Sequence, residues 1–427
     1  MKRITRVALI TSGGDCQGLN AAIRGVGKAL LNRIDDIEIF GMQDGYRGLI
    51  DRDYKFMESR DFSGIITHGG TILGTSRQNY IPGKDIVDDN GESLIPAMMD
   101  TYNRLNLDCL VIMGGNGTQK SAKLLMDAGM NVVTLPKTID NDIWGTDVTF
   151  GFQSAVDIAT NVIDYIHSTA SSHGRTFLVE LMGRDAGWLT LYAGVGSGAD
   201  VILLPEIPYD IDKIVEYLEE RRESGRKFSI LAVSEGARSK NDGVFDEEAA
   251  RKKKESSKYP TISYELADII EKKTGQETRV TIPGHYQRGG PPCPYDRVLA
   301  THFGAAAADL IVKKDYGKMV AMQNGNIVPI PLAEAAEKTK FLPTDHPLIQ
   351  VSQLSQHPCG RGVFTAGGDG QKLAALIVVH LRPCFQMQTE GGSLGFDPEF
   401  RGAFSGEGFQ QPHHLFCQQP EMHRVFF

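Results

Sequence analysis

Two carboxylates two residues apart, Asp140 and Asp142, close the stretch Pro136-Lys137-Thr138-Ile139-Asp140-Asn141-Asp142, which follows an apolar run. An extended backbone aims residues i and i+2 to one side, so both acids can converge on one small group. In phosphoryl transfer one carboxylate accepts the attacking hydroxyl's proton while another helps hold a hydrated magnesium ion, which makes Asp140 the candidate base. A turn held by Asx hydrogen bonds is the alternative for the same residues. Two glycine-rich turns, Thr11-Ser12-Gly13-Gly14-Asp15 and Gly114-Gly115-Asn116-Gly117-Thr118, each follow an apolar strand and precede a helix. Backbone N–H groups there can close on an anion at the positive end of the helix, although many such turns are glycine-rich for packing alone. SGGD is not GxGxxG, and Gln119 stands where GxxxxGK[ST] needs its second glycine, so both the dinucleotide fingerprint and the P-loop are rejected.

Four arginines sit in or beside short turns: Arg175 in SSHGR, Arg184 in MGR, Arg279 in ETR and Arg288 in GHYQRGG. Each alone reads as a surface ion-pair partner. Together they offer the forked donors that a sugar phosphate or a transferring phosphoryl group needs, and His285 lies close enough to Arg288 in sequence to share that anion.

These groups must be carried by a scaffold, and from residue 5 to about 320 short β-branched runs alternate with amphipathic stretches, the pattern of repeated β-α units around a largely parallel sheet. Strands are predicted at Val7–Thr11, Leu107–Met113, Val132–Leu135, Thr176–Leu181, Val201–Leu204 and Phe228–Ser234. Helices are predicted at Asn20–Leu31, Gln119–Asp127, Gln153–Thr169, Ile211–Arg222, Ser263–Lys273 and Asp296–Lys313, with Asn20 as a candidate cap. The unit count predicts two lobes with a boundary near residue 145, between a polar turn and a long helix.

Length and composition agree with an enzyme-sized globular chain: 427 residues, 41% hydrophobic and 23% charged, which excludes disordered, collagenous and coiled-coil classes. The net charge of −8 argues against a general nucleic-acid binder, and RKKKESSK within Glu247–Lys258 has acidic neighbours and no interleaved aromatics, as a solvated loop does. Six cysteines without metal-ligand spacing make zinc and disulfides poor expectations. No apolar run reaches the roughly 18–20 residues of a membrane span, and the first residues lack a secretory signal, so a cytoplasmic protein is expected. After about residue 350 the alternation stops and a tail rich in Gly, Gln, His and Phe reads as non-native sequence. Its TAGGDG segment, Thr365–Gly370, lacks the context of a phosphate loop.

The joint order of TSGGD, GGTILGTSR, GGNGT, PKTIDND, SSHGR, VELMGR, SEGAR, ETR and GHYQRGG with PYDR closely resembles the phosphofructokinase family over about residues 4–350. The resemblance implies an α/β fold of two Rossmann-like three-layer lobes with mostly parallel sheets and the active site in the cleft between them. Residues 1–145 would bind the phosphoryl donor and 146–320 fructose 6-phosphate, with 321–350 a C-terminal return segment and 351–427 an atypical tail. It further implies transfer of the γ-phosphoryl of ATP to the 1-hydroxyl of fructose 6-phosphate, with Mg2+, in glycolysis. Gly14, Arg77, Gln78, Gly115, Asn116, Gly117 and Thr118 would then meet the donor. Thr138, Asp140 and Arg184 would be catalytic, with Asp140 the base. Thr138, Ile139, Asp140, Met182, Gly183, Arg184 and Glu235 would hold the sugar, and Arg175, Arg279, His285, Tyr286, Gln287 and Arg288 its phosphate end. Arg175 and Arg279 would come from a neighbouring subunit of a homodimer or homotetramer. Asn116 and Asp142 would serve the metal, though Asn116 replaces a more usual acid and lowers its affinity.

Two positions bear on the donor and disagree. In pyrophosphate-using relatives an Asp commonly stands where this chain has Gly117, obstructing the nucleotide's α-phosphate; yet Lys137 matches those same relatives. A carboxylate there carries both steric and like-charge penalties, whereas a lysine can coexist with a γ-phosphate, so Gly117 decides for ATP. The alternatives are a pyrophosphate-dependent phosphotransferase and a non-catalytic sugar-phosphate-binding regulator.

Overall fold

Residues with β-branched and aliphatic side chains in short unbroken runs become the centres of two sheets, because a parallel strand covered by helices on both faces has no solvent side to make polar. The computed structural model describes residues 4–76, 79–81, 85–242, 257–354 and 377–378. Arg77, Gln78, most of the basic stretch and TAGGDG lie outside the described residues.

The first sheet contains β1 (Thr5–Thr11), β2 (Ile37–Met42), β3 (Tyr54–Phe56), β6 (Cys109–Gly114), β7 (Val132–Thr138), β13 (Lys318–Gln323) and β14 (Asn326–Pro331) in the order β14-β13-β7-β6-β1-β2-β3, with β8 (Phe150–Gly151) also on β7. Its inner strands are parallel and its edge pairs, β2 with β3 and β13 with β14, are antiparallel. A hairpin of β4 (Asn79–Ile81) and β5 (Asp85–Val87) stands apart. The second sheet runs β12-β9-β11-β10-β15, from β9 (Thr176–Leu181), β10 (Val201–Leu203), β11 (Ser229–Ser234), β12 (Thr278–Thr281) and β15 (Ile377–Val378). It is parallel except for β15. The described residues fall in one compact unit, and no described helix is long and apolar enough to cross a membrane.

β1 is flanked by β2 on one side and β6 on the other, so the chain reverses its direction of growth between β1 and β6. In open α/β sheets such a switch point leaves a crevice at the carboxyl ends of the strands. Both glycine-rich turns open into it.

The six predicted strands and six predicted helices all form, the helices mostly with longer ends, while β6 and β11 begin later and β10 ends earlier than predicted. Three placements differ from expectation. Asn20 does not cap the helix Leu19–Arg33, whose N-cap is Gly18 at φ 95°. Its side chain instead donates to His68 O and Gly69 O, at 3.1 and 3.2 Å, and accepts from Ile72 N, stitching down a loop remote in sequence. The helix expected from about Gln119 starts at Asn116, which puts Asn116, Gly117 and Thr118 in its first turn. The boundary expected at 320 falls inside β13, which returns to the first sheet, and the helix Pro294–Lys313 packs on Leu19–Arg33. A Cβ on Gly25 would lie 2.7 Å from Thr301 O, and one on Gly304 2.7 Å from Ala22 O, so these glycines permit the crossing. Sequence texture does not register such long-range pairing.

Candidate active site

The donor side is built from strand ends. Beyond β1, Gly13 at φ 79° donates its N–H to Ser76 O at 3.1 Å, and Thr75 Oγ1 donates to Gly13 O at 2.7 Å. Beyond β6, Gly115 caps the helix Asn116–Asp127, leaving first-turn N–H groups without intrahelical partners beside the cavity. Thr118 Oγ1 donates to Ser12 Oγ at 3.3 Å and joins the two turns. A cavity of about 320 Å³ lies between them. Gly14, Gly115, Asn116, Gly117 and Thr118 line it, as do Lys137, Thr138, Asp140, Asp142 and, from the sugar-side lobe, Arg288. A Cβ on Gly117 would meet nothing within 4 Å.

β7 delivers the acids. Asp140 N donates to Thr138 Oγ1 at 3.1 Å, a turn held by a threonine hydroxyl rather than by the Asx hydrogen bonds of the alternative reading, and both acids line the cavity. Asn141 takes φ 50°, which lets the chain reverse between the two carboxylates. Asn116 Nδ2 donates to Asp142 Oδ2 at 2.6 Å, while the Oδ1 atoms of Asp140, Asp142 and Asn116 are buried without a hydrogen-bond partner. Unpartnered buried oxygens on the wall of one cavity are what a hard cation or a protonated hydroxyl would satisfy. Among the described residues no three His, Cys, Asp or Glu side chains are placed to hold a metal ion together, so any metal here would depend on water and phosphate oxygens as well. Burial pushes the Asp140 carboxyl above its ordinary range, opposed by the Arg288 and Lys137 cations; Asp142 is pushed up by burial and by Asp140. Lys137 is buried, donates to Gly14 O and is pulled below the usual lysine range by desolvation.

On the sugar side, β9 ends at Met182-Gly183-Arg184. Gly183 sits at φ 121° with its carbonyl held by Ser234 Oγ at 2.5 Å, and a Cβ on Gly236 would lie 1.8 Å from Arg184 O. Arg184 is exposed with Nε 3.5 Å from Asp185 Oδ1, and Asp185 is near enough to raise both cavity carboxyls. Glu235, also exposed, donates its N–H to Leu181 O at 2.9 Å. The turn Gly284–Arg288 presents His285 and Tyr286 to solvent and buries Gln287, whose Oε1 accepts from Met182 N at 3.3 Å. Gln17 Nε2 donates to Gln287 O and Gly289 O at 3.1 and 2.7 Å, and Arg288 Nη1 to Asp15 O at 3.1 Å, so this turn is tied to the donor side.

Not every expected residue converges. Arg175 and Arg279 lie together on Glu277 at the start of β9, with the six residues of that strand between Arg175 and Met182, about 20 Å at roughly 3.3 Å per residue. One subunit therefore does not bring them to Arg288. Ile139 turns its side chain into the core, leaving only its backbone for a ligand. Tyr46 and Ser121 also line the cavity, and no motif surrounds Tyr46 to mark it in the sequence.

A family model described as Phosphofructokinase matches residues 6–311. The chain belongs to the phosphofructokinase family. Among curated relatives, an ATP-dependent 6-phosphofructokinase of Spirochaeta thermophila is 54% identical over 85% of this chain and 97% of its own length. One of Propionibacterium freudenreichii is 47% identical over 82% of this chain and 97% of its own. A crystal structure of Pichia pastoris phosphofructokinase in the T-state is 31% identical with a TM-score of 0.67, over 79% of this chain but only 36% of that one. A pyrophosphate-dependent phosphofructokinase of Nitrosospira multiformis reaches a TM-score of 0.68 over 80% of this chain and 86% of its own at 19% identity, a likeness of fold alone. Such phosphofructokinases share the two-lobed α/β architecture described above.

Proposed function

We propose that this phosphofructokinase is an ATP-dependent 6-phosphofructokinase, working in glycolysis in the cytoplasm. The 1-hydroxyl of fructose 6-phosphate gives its proton to Asp140, its oxygen attacks the γ-phosphorus, and ADP leaves with fructose 1,6-bisphosphate as the other product. The observation that carries this reading is one cavity lined by two glycine-rich phosphate turns, two carboxylates with unpartnered oxygens, and Arg288. A carboxylate raised by burial is a better proton acceptor than an ordinary one, and general-base assistance contributes about 10²–10⁴-fold. Asn116 and Asp142 would serve Mg2+, which when bound neutralises charge on the donor phosphates. Thr138 positions Asp140, and Arg184, with Lys137 on the cavity wall, offsets negative charge as the phosphoryl group moves.

Gly14 and Gly115–Thr118 take the donor, with Arg77 and Gln78 assigned the same role by their motif. Met182, Gly183, Arg184 and Glu235 take the sugar, and His285, Tyr286 and Arg288 its phosphate end, while Gln287, expected there too, is fully buried and instead braces the turn through Met182 N and Gly284 O. Arg175 and Arg279 complete the site of a neighbouring subunit in a homo-oligomer, a reading supported by their place on Glu277 at the far end of β9 from Met182. The first lobe serves the donor and the second the sugar. Open space at Gly117 and the ATP-dependent relatives favour the nucleotide over pyrophosphate. Purified protein should convert fructose 6-phosphate and Mg-ATP in a coupled spectrophotometric assay. A folded oligomer that binds both substrates without turnover would instead mark a regulator, and faster turnover with pyrophosphate would reverse the donor assignment.

A further inference from the structure

Lys340 lies far along the chain from both acids, in a segment without any motif, yet its side chain reaches the turn that follows them. Its ammonium donates to Asn141 Oδ1 at 3.0 Å, Thr146 O at 2.9 Å and Asp147 O at 3.0 Å, which uses all three of its N–H bonds. Its backbone N–H donates to Asp142 O at 2.7 Å, and its carbonyl accepts from Trp188 Nε1 at 3.1 Å. The Trp188 ring lies 5.2 Å below the ammonium. Two residues further on, Leu342 N and Gly187 N share the Glu206 carboxylate, so the same segment also anchors the chain just past Arg184. Asn141 stands at positive φ between the two acids, where backbone direction decides where they point. Its side-chain oxygen also accepts from Thr149 N at 3.1 Å, leaving Lys340 as the charged half of its support. Burial lowers the ammonium to about 8, with Asp142 and Asp147 opposing.

We infer that Lys340 is a positioning residue for phosphoryl transfer, fixing the 141–147 turn so that Asp140 and Asp142 face the cavity together. The inference rests on the function proposed above. In the full chain, Lys340→Met should lower kcat by about 10–100-fold, the scale of a displacement near 1 Å at a reacting centre, while KM for fructose 6-phosphate and ATP stays within about twofold. Lys340→Arg, which keeps the charge, should recover part of the loss. Lys338→Met removes the neighbouring cation over Trp144 and should leave kcat unchanged. Thermal melting establishes that each variant is folded; should Lys340→Met not be, Lys340→Ala, which likewise removes every side-chain donor, is read in its place by the same criteria. Unchanged kcat in a folded variant, or KM values rising in step with the fall in kcat, overturns the positioning role. An inactive wild type defeats the proposed function itself, whereas an active wild type with an unaffected variant defeats only this inference.

Discussion

Replacing Gly117 with aspartate tests donor choice at a position where the fold imposes no penalty. A Cβ there meets nothing within 4 Å, and the residue stands in the first turn of the helix Asn116–Asp127 outside the left-handed region. Aspartate's helix propensity is slightly better than glycine's, and an acid near a helix N-terminus gains about 0.3–1 kcal/mol, so thermal stability should hold or rise. The new carboxylate would share the 320 Å³ cavity with the donor's phosphates. At a separation of roughly 5–6 Å and an effective dielectric of about 20, one like-charge pair costs about 3 kcal/mol. That is about a 100-fold fall in kcat/KM for ATP. Pyrophosphate has no α-phosphate to meet the new charge and should lose much less. Steady-state assays with each donor, beside a melting curve, read the result. A folded Gly117→Asp enzyme that keeps ATP kcat/KM within about threefold, or loses both donors equally, would refute the placement of the nucleotide at Gly117.

Asp140→Ser should reduce kcat by about 10²–10⁴-fold while direct titration shows fructose 6-phosphate binding nearly intact. In the wild type, kcat should decline as pH falls through the raised carboxyl range, because the base is then already protonated. For Asp142 the folded-state pKa lies above the unfolded value, so the folded chain favours the proton and loses stability as pH rises through the raised pKa. Asp142→Asn should therefore melt higher than wild type at pH 8, at about 2–4 °C per kcal/mol, with the advantage vanishing toward pH 4, even as activity falls. Arg175→Ala and Asp140→Ser subunits, each nearly inactive, should regain measurable turnover when reassembled together, since some sites of the hybrid then hold an intact aspartate and an intact arginine; no recovery in proven hybrids would contradict a shared site.

Much of the scaffold was legible because its central strands advertise themselves. β6, CLVIMG, is buried at every position and reads as an uninterrupted apolar run. β2, IEIFGM, mixes charged and apolar residues toward the edge of the sheet and gave no such signal. β13 and β14 were missed because they complete a sheet begun three hundred residues earlier, a pairing that local periodicity does not encode. In the site, Asp140, Asp142 and both glycine turns were legible because strand ends with special residue types are few. Lys340 was not, since a lysine in KTKF is chemically unremarkable until the fold carries it to Asn141. The separation of Arg175 from Arg184 was implicit all along, as six extended residues between two side chains set a minimum reach.

Gln17 and Arg288 give the cleft a consequence of their own. Between them they make three hydrogen bonds from one wall to the other, none of which survives if the walls part like the covers of a book. At about 0.5–1.5 kcal/mol each, wide gaping would be confined to about one molecule in a hundred. Traffic of sugar and nucleotide must then pass around this latch rather than through it, with rearrangement left to the peripheral loops.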